Sequence, residues 1–162
     1  MFSTELVQTA EKLLELCRNK SIMLATAESC TGGLIAGVLT EIAGSSAVVD
    51  RGFVTYSNEA KHEALGVGTG LLDQYGAVSD VVAKAMAEGA LQRSRAAMTV
   101  AVTGIAGPGG GSNTKPVGLV YIATAFKNQE TQCRKMLFEG DRSAIRSQTI
   151  AAALDFMKDR IT

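Results

Sequence analysis

The chain has no tryptophan, a single histidine and no surplus of either charge. Each shortage removes a class of function. Lys+Arg number 16 and Asp+Glu number 16 among 162 residues. Nucleic-acid binders draw most of their affinity from neutralising phosphates and carry a basic excess, so none is expected as a partner here. Aromatics are only 5% of the residues, which disfavours base-stacking platforms for single strands. The cysteines, Cys17, Cys30 and Cys133, are odd in number, far apart and without a CxxC pair. They suggest neither a disulfide framework nor zinc, and reduced thiols in a cytoplasmic protein are expected. No apolar run reaches the roughly 18 residues of a membrane span. Met1-Phe2-Ser3-Thr4 does not open a secretory signal, because no basic segment leads into an apolar one. There is no HExxH and no paired Asp/His spacing, so no metal and no cofactor are expected.

What is present reads as one domain over residues 1–162, since 46% hydrophobic content at this length can bury a core. Leu6, Ala10, Leu13, Leu14 and Cys17 follow helical spacing, with Ser3 or Thr4 as cap. Strands are expected at 22–26, 47–56, 98–102, 117–126 and 131–138, the last two joined as a hairpin through 127–130. Further helices are expected over 34–39, from the Ser57 cap to Leu65, from the Ser79 cap through Leu91, and from the Asp141 cap towards Arg160. Helices alternating with strands, then a hairpin, predict an α/β layered domain whose mixed, mostly parallel sheet is flanked by helices.

Three segments can carry chemistry. Ala27-Glu28-Ser29-Cys30-Thr31-Gly32-Gly33 falls between a strand and a helix. Unpaired N–H groups there favour a phosphate or the oxyanion of an acyl transfer. Ser29 can be a nucleophile or an ordinary helix cap, and Cys30 is a rival nucleophile. A serine nucleophile needs a base, and Lys61 and His62 are adjacent candidates between which local sequence does not choose. The second segment, Thr103 to Gly111, can expose a row of backbone N–H groups from Gly104, Gly107 and their neighbours. It fits neither a Walker A loop nor GxGxxG. In the third, Arg142 and Arg146 are four apart on one helical face, which suits a phosphate monoester or a solvated helix start.

Taken together, Ala27–Gly33, Thr103–Gly110, Lys115-Pro116-Val117-Gly118 and Gly140-Asp141-Arg142 resemble the C-terminal domain family of the competence-damage protein CinA. Tyr56-Ser57 and Gly76-Ala77-Val78-Ser79 fit as well, and the resemblance spans essentially the whole chain in order. It implies a stand-alone nicotinamide-nucleotide amidohydrolase, without the extra N-terminal domain of larger members. Such an enzyme converts nicotinamide mononucleotide and water into nicotinic acid mononucleotide and ammonia. The resemblance implies Ser29 as nucleophile, Lys61 rather than His62 as base, and Tyr56 beside them. It further implies substrate contacts from Thr103 and Arg142. Cys30, Thr31, Gly32 and Gly33 are expected around the oxyanion, and Gly104, Gly107 and Arg142 around the 5′-phosphate. The expected partner is this small nucleotide, with no nucleic acid and no membrane, and the chain is expected to form a homo-oligomer. Two alternatives stand beside this reading. One is a non-catalytic nucleotide-binding module in which Ser29 only caps a helix, and the other is a partner domain associated with competence or repair.

Overall fold

The computed structural model describes residues 1–162. In chain order the elements are α1 (Thr4–Asn19), β1 (Leu24–Glu28), α2 (Leu34–Thr40), β2 (Val49–Val54), α3 (Asn58–Leu65), α4 (Thr69–Tyr75), α5 (Asp80–Gln92), β3 (Met98–Gly104), β4 (Leu119–Phe126), β5 (Gln132–Leu137) and α6 (Arg142–Ile161). Capping sets four helix starts. The side chains of Ser3, Ser57, Ser79 and Asp141 each accept a backbone N–H three residues on, satisfying donors that the first turn leaves orphaned.

The sheet order is β2-β1-β3-β4-β5. β1 pairs in parallel with both β2 and β3, and the β3-β4 and β4-β5 pairs are antiparallel. Every strand except β4 therefore points the same way. Alternate residues sort onto two faces. Met98, Val100, Val102, Val120 and Ile122 join α1, α2 and α6 in one core. Ala27, Ala101, Ala123 and Ala125 face α5, α3 and α4 in the other. Alanines on that second face let α5 approach closely. At Gly89 of α5 a Cβ would collide with the Leu65 carbonyl, so the end of α3 packs directly on α5.

β1 begins and ends two residues later than the apolar run suggests. Ile22 and Met23 fall outside it, while Thr26 and Glu28 are fully buried within it. Burial of these polar residues is tolerated because both find partners: Thr26 Oγ1 donates to the Glu28 carboxylate, which in turn meets α2. β3 likewise runs on to Gly104, paired through Thr103 and Gly104 with Tyr121 and Val120. α4 was not expected from the sequence. It is one short helix that starts between Gly68 and Gly70, where propensity argues against helix. No helix is long and apolar enough to cross a membrane. The carboxyl ends of β2, β1 and β3 lie side by side, and the three loops leaving them converge, as ligand sites of open α/β sheets require.

Candidate active site

Ser29 is the first residue beyond β1. Its N–H donates to the Val102 carbonyl at 3.0 Å, which ties the turn to β3. The chain then bends through Gly32 and Gly33 at φ +59° and +99°, left-handed conformations that side chains other than glycine resist. That bend, rather than room for a ligand, is what the two glycines supply. Its purpose is visible in Glu28. The carboxylate is wholly buried and accepts from Thr31 Oγ1 (2.6 Å) and from the N–H groups of Gly33 (3.1 Å), Ile35 (3.0 Å) and Ala36 (2.8 Å). The anion site at the start of α2 is thus filled by the chain's own carboxylate. The Gly32 N–H is committed too, to the Ser29 carbonyl at 3.0 Å. Of the N–H groups from Cys30 to Gly33, only two are uncommitted, those of Cys30 and Thr31.

Lys61 comes from α3 and is 1% exposed. Its Nζ lies 2.8 Å from the Thr55 carbonyl and 3.0 Å from Ser29 Oγ. The chain's ion pairs all lie elsewhere, on Asp50, Asp155 and Asp159, so no carboxylate stabilises the ammonium. Burial therefore pushes the Lys61 pKa down from its ordinary value, opposed only by nearby Cys30. Nζ can donate to both oxygens; in its uncharged form the amine would keep the Thr55 bond and turn a lone pair to the Ser29 hydroxyl. His62 is not in this group. Successive helical residues are about 100° apart, so with Lys61 turned inward His62 faces out, and its Nδ1 is hydrogen-bonded to the Val67 carbonyl at 2.8 Å. The Cys30 thiol is pushed up to about 11 by burial. It stays protonated near neutrality, and a thiol is a far poorer nucleophile than a thiolate.

Ser29, Cys30, Tyr56, Lys61, Thr103, Gly104 and Arg142 meet around one cavity of about 200 Å³. Thr31, Gly32, Gly33 and Gly107 do not line it. Asn58, in the first turn of α3, does line it, although nothing in the sequence pointed to it beyond its position next to the Ser57 cap. Thr103 Oγ1 donates to the Ala77 carbonyl at 2.8 Å, so the Gly76–Ser79 segment is fastened to the end of β3. Arg142 opens α6 and spans two walls: it donates to the Gly107 carbonyl (2.9 Å) and to Tyr56 Oη (2.8 Å). Arg142 and Ala106 also border a second cavity of about 460 Å³ between the Gly-rich loop and the start of α6. Arg146 borders this second cavity as well. Its guanidinium donates to the carbonyls of Cys30 and Thr31, both at 3.1 Å. No three His, Cys, Asp or Glu side chains come together in a metal-ligating cluster.

The profile of the CinA C-terminal domain matches residues 6–161. The nicotinamide-nucleotide amidohydrolase PncC of Escherichia coli K12 is 50% identical over 154 residues, covering 95% of this chain and 93% of that protein. A CinA-like protein of Akkermansia muciniphila is 53% identical over 140 residues, 86% of this chain but 34% of that longer protein. Among solved structures, the competence/damage inducible protein CihA from Agrobacterium tumefaciens superposes with a TM-score of 0.96 at 53% identity, covering 98% of this chain and 97% of that one.

Proposed function

The chain belongs to the CinA C-terminal domain family, and from that premise we propose that it hydrolyses the carboxamide of nicotinamide mononucleotide, releasing ammonia. The relative from Escherichia coli that matches over nearly its full length carries that activity in its name. The observation that carries the mechanistic reading is the buried contact of Lys61 Nζ with Ser29 Oγ, made without any carboxylate to hold the ammonium. A capping serine has no need of a desolvated amine.

Neutral Lys61 takes the proton of Ser29 as Oγ bonds to the amide carbon. The carbonyl π pair moves onto oxygen, and the uncommitted N–H of Cys30, beside the nucleophile, is a donor for that charge. The Lys61 ammonium then returns its proton to the leaving nitrogen, the C–N bond breaks and ammonia departs. Water attacks the acyl carbon as Lys61 again accepts a proton; the acyl C–Oγ bond then breaks, the Lys61 ammonium returns that proton to Ser29 Oγ, and nicotinic acid mononucleotide leaves. Arg142 and the loop at Gly107 stand between this centre and the larger cavity, where the ribose phosphate is accommodated. Tyr56, held by Arg142, borders the reacting carboxamide. The Gly32 and Gly33 amides, committed as they are, shape the turn rather than touch the substrate.

A coupled ammonia assay tests both halves of the proposal. Wild-type protein should release ammonia from nicotinamide mononucleotide, and Ser29→Ala should not, while retaining its fold. Absence of ammonia from the wild type would exclude the reaction. An active Ser29→Ala protein would exclude the nucleophile.

A further inference from the structure

Arg146 borders the larger cavity but takes no part in the steps above, and its guanidinium is engaged with the backbone. It reaches from the second turn of α6 across more than 110 residues of sequence to the turn that carries Ser29. There Nε donates to the Cys30 carbonyl and Nη2 to the Thr31 carbonyl, each at 3.1 Å. The Cys30 carbonyl has no other donor, and the Thr31 carbonyl has only the Leu34 N–H at 3.2 Å. We propose that Arg146 is a positioning residue for the reaction: it holds the two peptide planes that follow Cys30, and so braces the turn that carries Ser29 and the Cys30 N–H.

The argument rests on peptide planarity. A carbonyl and the N–H of the next residue belong to one rigid unit and point in opposite directions. Fixing the Ser29 carbonyl through Gly32 N–H orients the Cys30 N–H. Fixing the Cys30 carbonyl through Arg146 orients the Thr31 N–H, and the two units meet at Cys30, a residue that lines the cavity. Arg146 therefore locks the side of the turn that its internal hydrogen bond leaves free. A cation on the carbonyl also polarises the peptide it belongs to, and hydrogen bonds in series strengthen one another. Glu28 completes the grip from the opposite side, taking the N–H groups of Gly33, Ile35 and Ala36. One buried anion holds donors, one half-buried cation holds acceptors, and the nucleophile lies between them. Lysine cannot replace the guanidinium fork, since one ammonium does not match two carbonyls in a plane.

The inference deepens the amidohydrolase reading and its test separates the two. Arg146→Ala and Arg146→Lys are assayed on nicotinamide mononucleotide and on nicotinamide riboside, which lacks the phosphate. A positioning role predicts a kcat lowered roughly 10- to 100-fold, the scale of misplacing a reacting group or an oxyanion donor. The factor should be the same on both substrates, with KM nearly unchanged, and added methylguanidinium should recover part of the rate in Arg146→Ala. A raised KM confined to the phosphorylated substrate would overturn the proposal and make Arg146 a phosphate ligand, and unchanged kcat would overturn it outright. The labelling rate of Ser29 by a small fluorophosphonate reads the same turn without the nucleotide. Slower labelling in both variants, at a urea midpoint close to wild type, supports the positioning role even if nicotinamide mononucleotide is not hydrolysed. Equal labelling refutes it.

Discussion

Replacing Lys61 by Met offers two readings of one pKa. Met keeps the unbranched length of the lysine side chain but cannot titrate. Above about pH 10.4 lysine is neutral in the folded and unfolded chains alike. There the variant loses only the hydrogen bonds to Thr55 and Ser29, about 1 kcal/mol each, offset in part by burying a thioether in place of an amine. Below that pH the unfolded lysine takes up a proton, while the folded one, depressed by burial, does not. The unfolded state then binds one proton more, so wild-type stability falls by about 1.4 kcal/mol for each pH unit descended. The loss stops once the pH passes below the folded pKa, where both states are protonated. The variant has no such slope. As the pH falls from 10.4 towards the folded pKa, Lys61→Met should gain on the wild type in stability, while having no activity. Urea unfolding of both proteins at stepped pH measures the difference directly. The wild-type kcat/KM for nicotinamide mononucleotide should rise with pH through the same folded pKa, because only the free amine accepts the serine proton. A stability difference that stays constant from pH 6 to pH 10 would refute the reasoning. It would mean that Lys61 carries its charge in the fold.

Three further outcomes follow from contacts in the same region. His62→Ala should keep most activity and Lys61→Arg should keep none, because guanidinium remains protonated; steady-state kinetics with an inactive His62→Ala would return the base to the imidazole. Arg142→Ala should raise KM for nicotinamide mononucleotide more than for nicotinamide riboside, and by freeing Gly107 and Tyr56 it should lower kcat somewhat on both; equal KM changes would remove Arg142 from the phosphate. Glu28→Ala strands several buried donors at the start of α2 and should cost about 3 kcal/mol or more in urea unfolding, whereas a loss below about 1 kcal/mol would show that α2 is capped by other means.

Capping and periodicity act within three or four residues, and the features they govern were legible in the sequence. Of Ser3 and Thr4 it is Ser3 that caps α1, and the caps at Ser57, Ser79 and Asp141 stand where the sequence places them. So do the buried face of α1 and the β4-β5 hairpin. α4 escaped notice because its first turn is built on glycine and its stability comes from packing Leu72 on α5 rather than from propensity. The last two residues of β1 fall beyond the apolar run because Glu28 looks like a loop residue until its partners are known.

The chemistry divides along the same line. Ser29 between a strand and a helix, the Gly-rich loop after β3 and the basic start of α6 are all sequence features, and their order along the chain carries the family resemblance. Which of them meet was decided by the fold. Parallel register of β1 with β2, Glu28 opposite Val54, sets Ser29 level with Thr55. The inward face of α3 then delivers Lys61 and turns His62 away. The same long-range packing gave the anion site of α2 to Glu28 and the second arginine to the carbonyls of Cys30 and Thr31. The physical reason is desolvation. A sequence lists polar groups with water still available to each, whereas a closed interior leaves each buried donor and acceptor only the partners that distant strands and helices bring to it.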